Sequence, residues 1–131
     1  MSTESEVREL IDDWVKAVQA GDLAGVVAGH DNDIVMFDVP PPVLGIRGIP
    51  AYREAWPPFF DWEAFGAQFE LAELDVTAGE DVAYAWALLR CGDEQDLRED
   101  PERRLRLTLG LRRVDGRWSV THEHHSFTDR S

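Results

Sequence analysis

Apolar residues recur at helical spacing near the start of the chain. Val7, Leu10, Ile11, Trp14, Val15 and Val18 fall on one face, with charged residues between them. The spacing predicts an amphipathic helix over residues 4–20. Ser2 or Thr3 caps its start, Glu4 and Glu6 suit the positive end of its dipole, and Gly21 stops it. Asp22 caps a short second helix near residues 22–29. Residues 33–39 (Asp-Ile-Val-Met-Phe-Asp-Val) are rich in β-formers and predict a strand, ended by Pro40-Pro41-Pro42. Gly48-Ile49-Pro50 opens a third helix carrying Tyr52, Ala55, Trp56, Phe59 and Phe60, which Pro57 and Pro58 kink or break.

The pattern then changes to period two. Strands are predicted at 67–77, 81–92, 103–114 and 117–127, separated by turns at Ala78-Gly79-Glu80, Gly92 to Pro101, and Asp115-Gly116. Asp-Gly between alternating runs is a strong hairpin signal. Leu105, Leu107, Leu109 and Leu111 share one face, with Arg104, Arg106, Thr108 and Arg112 opposite. Residues 81–92 are apolar on both faces, which predicts a central strand covered on both sides. The order is helix, helix, strand, helix, then four antiparallel strands. This predicts one α+β domain over residues 1–131, with a curved sheet wrapped by the N-terminal helices around an interior pocket.

Composition narrows the functions open to the chain. Its 131 residues can bury a core without staples. The formal net charge is −13, which opposes binding to nucleic acid or to an anionic membrane. No run approaches the ~20 apolar residues of a membrane span. The acidic, polar N-terminus lacks the pattern of a secretory signal, so the expected location is cytoplasmic. The single cysteine, Cys91, lies in an apolar strand-like run and reads as a small buried hydrophobe. Arg98, Arg103, Arg104, Arg106, Arg112, Arg113 and Arg117 gather in the last third. They read as a solvated face beside acidic neighbours, with an anion-binding face as the alternative.

The element order, the stretch Val35-Met36-Phe37-Asp38-Val39-Pro40-Pro41-Pro42 with Gly45 and Gly48 after it, and the ending Asp115-Gly-Arg-Trp118-Ser-Val-Thr-His122-Glu-His124-His-Ser126 carry a resemblance. Over essentially its whole length the chain resembles the nuclear transport factor 2-like superfamily, in particular its SnoaL-like and ketosteroid-isomerase-like bacterial members. The resemblance implies a cone-shaped pocket, metal-free chemistry without a cofactor, and a homodimer to which the outer sheet face contributes. The fold hosts isomerases, cyclases, dehydratases and non-catalytic binding modules, so function must be read from the site.

Three residues are candidates for acid–base work. Period-two alternation puts Trp118, Val120, His122, His124 and Ser126 on one face of the last strand. Trp118 and Val120 are core-like, so His122 and His124 are expected to face inward, where an imidazole pair suits proton transfer. Asp38 closes an apolar strand and would be partly buried, as either a proton-shuttling carboxylate or an anchor for the proline loop. No tyrosine stands in the first helix to complete a ketosteroid-isomerase oxyanion hole. Trp14 and Trp56, with Tyr52 and Phe60, are expected to line an apolar pocket. Two readings follow: an isomerase, cyclase or dehydratase acting on a small apolar carbonyl or polyketide-like compound, or a non-catalytic ligand-binding or dimerisation module.

Overall fold

The computed structural model describes residues 2–129. Helix α1 (Thr3–Ala20) starts where the Ser2 side chain accepts the Ser5 N–H and ends at Gly21, whose N–H bonds back to the Ala17 and Val18 carbonyls. It buries Val7, Ile11, Trp14, Val15 and Val18. Helix α2 (Leu23–Val27) is capped by Asp22. Strands β1 (His30–Phe37) and β2 (Ile46–Arg47) follow, then α3 (Ile49–Ala55) and α4 (Pro57–Ala64), which the prolines divide. Strands β3 (Gln68–Ala78) and β4 (Val82–Gly92) form a long hairpin. Helix α5 (Glu94–Glu99) leads to β5 (Leu105–Val114) and β6 (Arg117–Ser126). The β5–β6 turn is Asp115-Gly116, both with positive φ as a two-residue hairpin requires.

The strands form one curved, unclosed sheet in the order β2-β1-β6-β5-β4-β3. It is not wholly antiparallel: β1 runs parallel to β6, and every other neighbouring pair is antiparallel. Three side chains tie α1 to the sheet. Gln19 donates to the Phe69 carbonyl at 2.7 Å, Arg8 to the Leu74 carbonyl at 3.4 Å, and Trp118 Nε1 to Glu6 at 3.0 Å. The core lies between this helix and the inward rows Ala83, Ala85, Ala87 and Leu89 of β4 and Leu105, Leu107, Leu109 and Leu111 of β5. Among the described residues no helix is long and apolar enough to cross a membrane.

The structure corrects four expectations from pattern alone. The Gly92–Pro101 stretch is a turn only at its ends. Between them α5 is nucleated by a capping box in which Asp93 and Asp96 each bond the other's backbone N–H, and only Leu97 is buried, so no apolar period marks it. Strand β2 is too short to carry a pattern. Strand β4 is not covered on both faces: Val82, Tyr84 and Trp86 stand on its outer side, 65%, 54% and 37% exposed.

The fourth correction is the largest. Leu111 pairs with Val120 and Gly110 with His122, so Thr121 has no partner on β5 and forms a bulge. Its hydroxyl donates to the Gly110 carbonyl at 3.2 Å. Trp118 and Val120 face inward before the bulge, and Glu123 and His125 face inward after it. His122 and His124 therefore stand on the outer face, opposite to the expectation, because one extra residue inverts the phase of all that follows. There both rings pack edge-on against Phe37, at 5.2 Å and 5.6 Å, and His122 Nδ1 donates to the Val35 carbonyl at 2.8 Å.

Removing Thr121 takes out the extra residue, so strict alternation then keeps Trp118, Val120, Glu123 and His125 all facing inward. Deletion of Thr121 is expected to cost less than the ~3 kcal/mol of stripping a buried charge of its partners, because Glu123 keeps them. Thr121→Ala, which loses one hydrogen bond, should cost about 1 kcal/mol. Urea unfolding of both variants measures the difference.

Candidate functional site

Beyond the bulge, β6 presents Glu123 to the interior, with none of its surface exposed. A buried carboxylate needs donors, and the fold brings it three. His30, at the start of β1, places Nε2 2.5 Å from Oε2. Tyr52, on α3, donates its hydroxyl to the same oxygen at 2.7 Å. His125, two residues along β6, places Nε2 2.8 Å from Oε1. Trp14 on α1 extends the network by donating Nε1 to the Tyr52 hydroxyl at 3.2 Å. Three elements thus meet at one side chain, with α1 one hydrogen bond behind.

The proton positions follow from these partners. Nδ1 of His30 lies 3.2 Å from the Ala28 carbonyl, which can only accept. His30 thus meets an acceptor at each ring nitrogen, the Ala28 carbonyl at Nδ1 and the Glu123 carboxylate at Nε2. Burial alone would raise the Glu123 pKa, but the hydrogen bonds and charges of His125 and His30 prevail and hold it at about 2. Burial, then the charge of Glu123 and the bond to it, push the Tyr52 hydroxyl well above its ordinary value, so it remains a donor. The Trp56 indole N–H lies near enough to act on Tyr52 but makes no hydrogen bond. For His125, burial favours the neutral ring, but the bond to Glu123, its charge and that of Asp38 outweigh it and raise the pKa above 6.5.

His125 also borders a cavity of about 410 Å³ between α3, α4 and the inner sheet face. Aromatic side chains from both layers wall it: Trp56, Phe59 and Trp62 from the helical side, Phe69 and Phe127 from the sheet side. Its titratable members are Asp38, Cys91, Arg103 and His125. Burial pushes the Cys91 thiol up to about 12, so it is a small apolar wall, as expected, and not a thiolate. The His125 ring is held at Nε2 by Glu123 and lines the cavity. No group of three or more His, Cys, Asp or Glu side chains there is arranged to hold a metal ion.

Of the expected site residues, the structure brings Asp38 and Trp56 to this cavity. Asp38 is half-buried at its border and accepts the Val39 N–H at 2.7 Å, so it anchors the proline loop while lining the cavity. Trp14 and Tyr52 stand behind the wall, in the Glu123 network. Phe60 stacks on Trp56 at 6.2 Å without lining the cavity. His122 and His124 lie across the sheet from it. Sequence reasoning missed His30, Glu123 and His125. The one signal for Glu123 was a carboxylate inside an otherwise inward-leaning strand, Trp-Ser-Val-Thr-His-Glu-His-His.

A curved sheet closed by N-terminal helices over an aromatic cavity with a buried acid–histidine floor defines a class, and comparison with known proteins agrees. The chain belongs to the SnoaL-like domain family, whose model matches residues 7–130. A nuclear transport factor 2-like protein of unknown function from Pseudomonas putida is 41% identical, over 96% of this chain and 88% of that one, with a TM-score of 0.82. A nuclear transport factor 2-like protein with a cystatin-like fold from Novosphingobium aromaticivorans shares the fold at 19% identity, 97% and 82% coverage and a TM-score of 0.76. A candidate ketosteroid isomerase from Shewanella frigidimarina does so at 20% identity, 90% and 92% coverage and a TM-score of 0.73. No curated protein matches the chain.

The buried pairs make stability pH-dependent in a stated sense. Glu123 is depressed from 4.5 to about 2, so its contribution is complete above pH 4.5 and lost as pH falls towards 2. His125 is raised above 6.5, so its contribution is complete below pH 6.5 and lost as pH rises through the raised value. Melting temperature should therefore fall on both sides of a maximum between these limits. Glu123→Gln should lower that maximum and flatten both flanks, which a melting series from pH 2 to pH 9 measures.

Proposed function

We propose that this protein is an enzyme that moves a proton on a small, apolar carbonyl compound, using its own side chains as acid and base. The observation that carries this reading is His125, one nitrogen bound to a buried carboxylate and its ring lining an aromatic cavity. Glu123 plays the orienting part that an acid plays behind a catalytic histidine: it fixes the tautomer with hydrogen on Nε2 and stabilises the imidazolium. Nδ1 takes a proton from the carbon beside the carbonyl. The C–H electron pair becomes the enolate C=C bond, and the carbonyl π pair moves to oxygen. The imidazolium then returns the proton to the same carbon or to a conjugated one, which is exchange or isomerisation. Asp38 favours the charged ring electrostatically from the cavity border. The flat aromatic walls suit a cyclic substrate and keep water from the enolate. The raised pKa of His125 supports a base that works near neutrality.

The test is deuterium exchange at the α-carbon of cyclic ketones such as tetralones in heavy water, followed by proton NMR. Wild type should accelerate exchange, and His125→Ala should lose about 100-fold or more. Glu123→Gln should move the midpoint of the pH–rate profile down, since the charge that raises His125 is gone. Wild type that exchanges no ketone faster than His125→Ala would sink the reading.

A second reading rests on the outer face. Val82, Tyr84 and Trp86 form an exposed apolar row on β4, with Phe37 exposed on the same side of β1. We infer that this face joins two copies of the chain, as a dimerisation module would, whatever the cavity does. Trp86→Glu should convert a dimer into a monomer in light scattering. Wild type that is monomeric at micromolar concentration would refute it.

A further inference from the structure

Among the described residues, the cavity-lining Arg103 has no carboxylate within ion-pair distance. Arg103, two residues before β5, is half-buried and lines the cavity. Its Nε donates to the Cys91 carbonyl at 2.8 Å, and its guanidinium lies 4.1 Å over the Phe127 ring. A Cβ at position 92 would come within 3.0 Å of Nε, so Gly92 leaves the space this side chain takes. Among the described residues Arg103 forms no ion pair, in a chain with 26 acidic and 13 basic residues. Arg8, Arg90 and Arg98 each meet a carboxylate. A carbonyl, a ring face and an absent side chain hold Arg103 instead. All three fix its direction, and none neutralises its charge. The two terminal nitrogens keep their donors for another acceptor, and a planar guanidinium matches a carboxylate bidentately.

We propose that Arg103 anchors the anionic end of the ligand, so that the site takes a flat apolar carbonyl compound that also carries a carboxylate. This rests on the reading of the cavity as a small-molecule site and names the class of molecule it takes. The sheet register separates the two ends. Leu107 pairs with His125, and Arg103 lies beyond Leu105, two residues before β5 begins. Asp38 acts on His125 and also on Cys91, whose carbonyl Arg103 bonds. A molecule with its carboxylate on Arg103 presents its other end to the imidazole.

The experiment is calorimetric titration with 2-naphthoate and its neutral isostere 2-naphthamide, on wild type, Arg103→Met and Arg103→Lys. Near-ultraviolet circular dichroism checks each fold, and the amide titration is the control within each variant. In wild type naphthoate should bind about tenfold or more tightly than the amide, as a charge-assisted hydrogen bond provides. Arg103→Met should erase that preference while leaving the amide unchanged, and Arg103→Lys should retain part of it. If the amide binds wild type as tightly as naphthoate, or the preference survives in Arg103→Met, the anion anchor is wrong and the small-molecule site stands. If neither compound binds wild type, both the anchor and the small-molecule reading fall.

Discussion

The structure turns on one buried negative charge. A carboxylate with no exposed surface, as in Glu123, is tolerable only with its oxygens saturated by donors. Here the donors come from β1, α3 and β6, with α1 one hydrogen bond behind. Each element is consequently located by the charge as well as by apolar packing. Burial of leucines and alanines against α1 would tolerate small slides. Hydrogen bonds of 2.5–2.8 Å to one carboxylate do not. The same constraint fixes His125 in one tautomer and one orientation, so what organises the core also prepares the group that meets the cavity.

The two layers divide the chemistry. Helices α3 and α4 supply most of the aromatic wall. The polar members come from the sheet and its loops, His125 from β6, Arg103 from the segment before β5 and Asp38 from the loop after β1. Arginine shows how context sets a role within one residue type. Arg98 is a solvated partner of Glu94 on α5, which contributes little. Arg106 spans β5 and β6 by donating to Ser126 and to the Phe127 carbonyl. Arg103 faces the interior. Composition gave these residues a solvated face, with an anion-binding face as the alternative, and the first fits Arg98 but not the half-buried Arg103.

What was legible in the sequence was local. The period and caps of α1, the proline break after Trp56, the Asp115-Gly116 hairpin and the leucine row of β5 each depend on residues within a few positions of one another. They stand as the pattern predicts. The inward group was not legible because it depends on distant pairings. The bulge at Thr121 is defined only against Gly110 on another strand, and His30 reaches Glu123 across 93 positions of chain. Helix α5 escaped because two aspartates, not an apolar period, begin it. The outer row of β4 was read as buried because apolar content does not say which neighbour, if any, covers it.

The bulge gives β6 two phases, and histidine occurs in both. His122 and His124 belong to the outward phase, Glu123 and His125 to the inward one, within four consecutive positions. Closing the bulge into regular pairing, with every residue kept, would exchange the pairs and leave the composition of the segment unaltered. Relatives with the same run of histidines are therefore not equivalent by alignment of letters. They must be aligned by phase, counting from the residue opposite Gly110, before any histidine is matched to another.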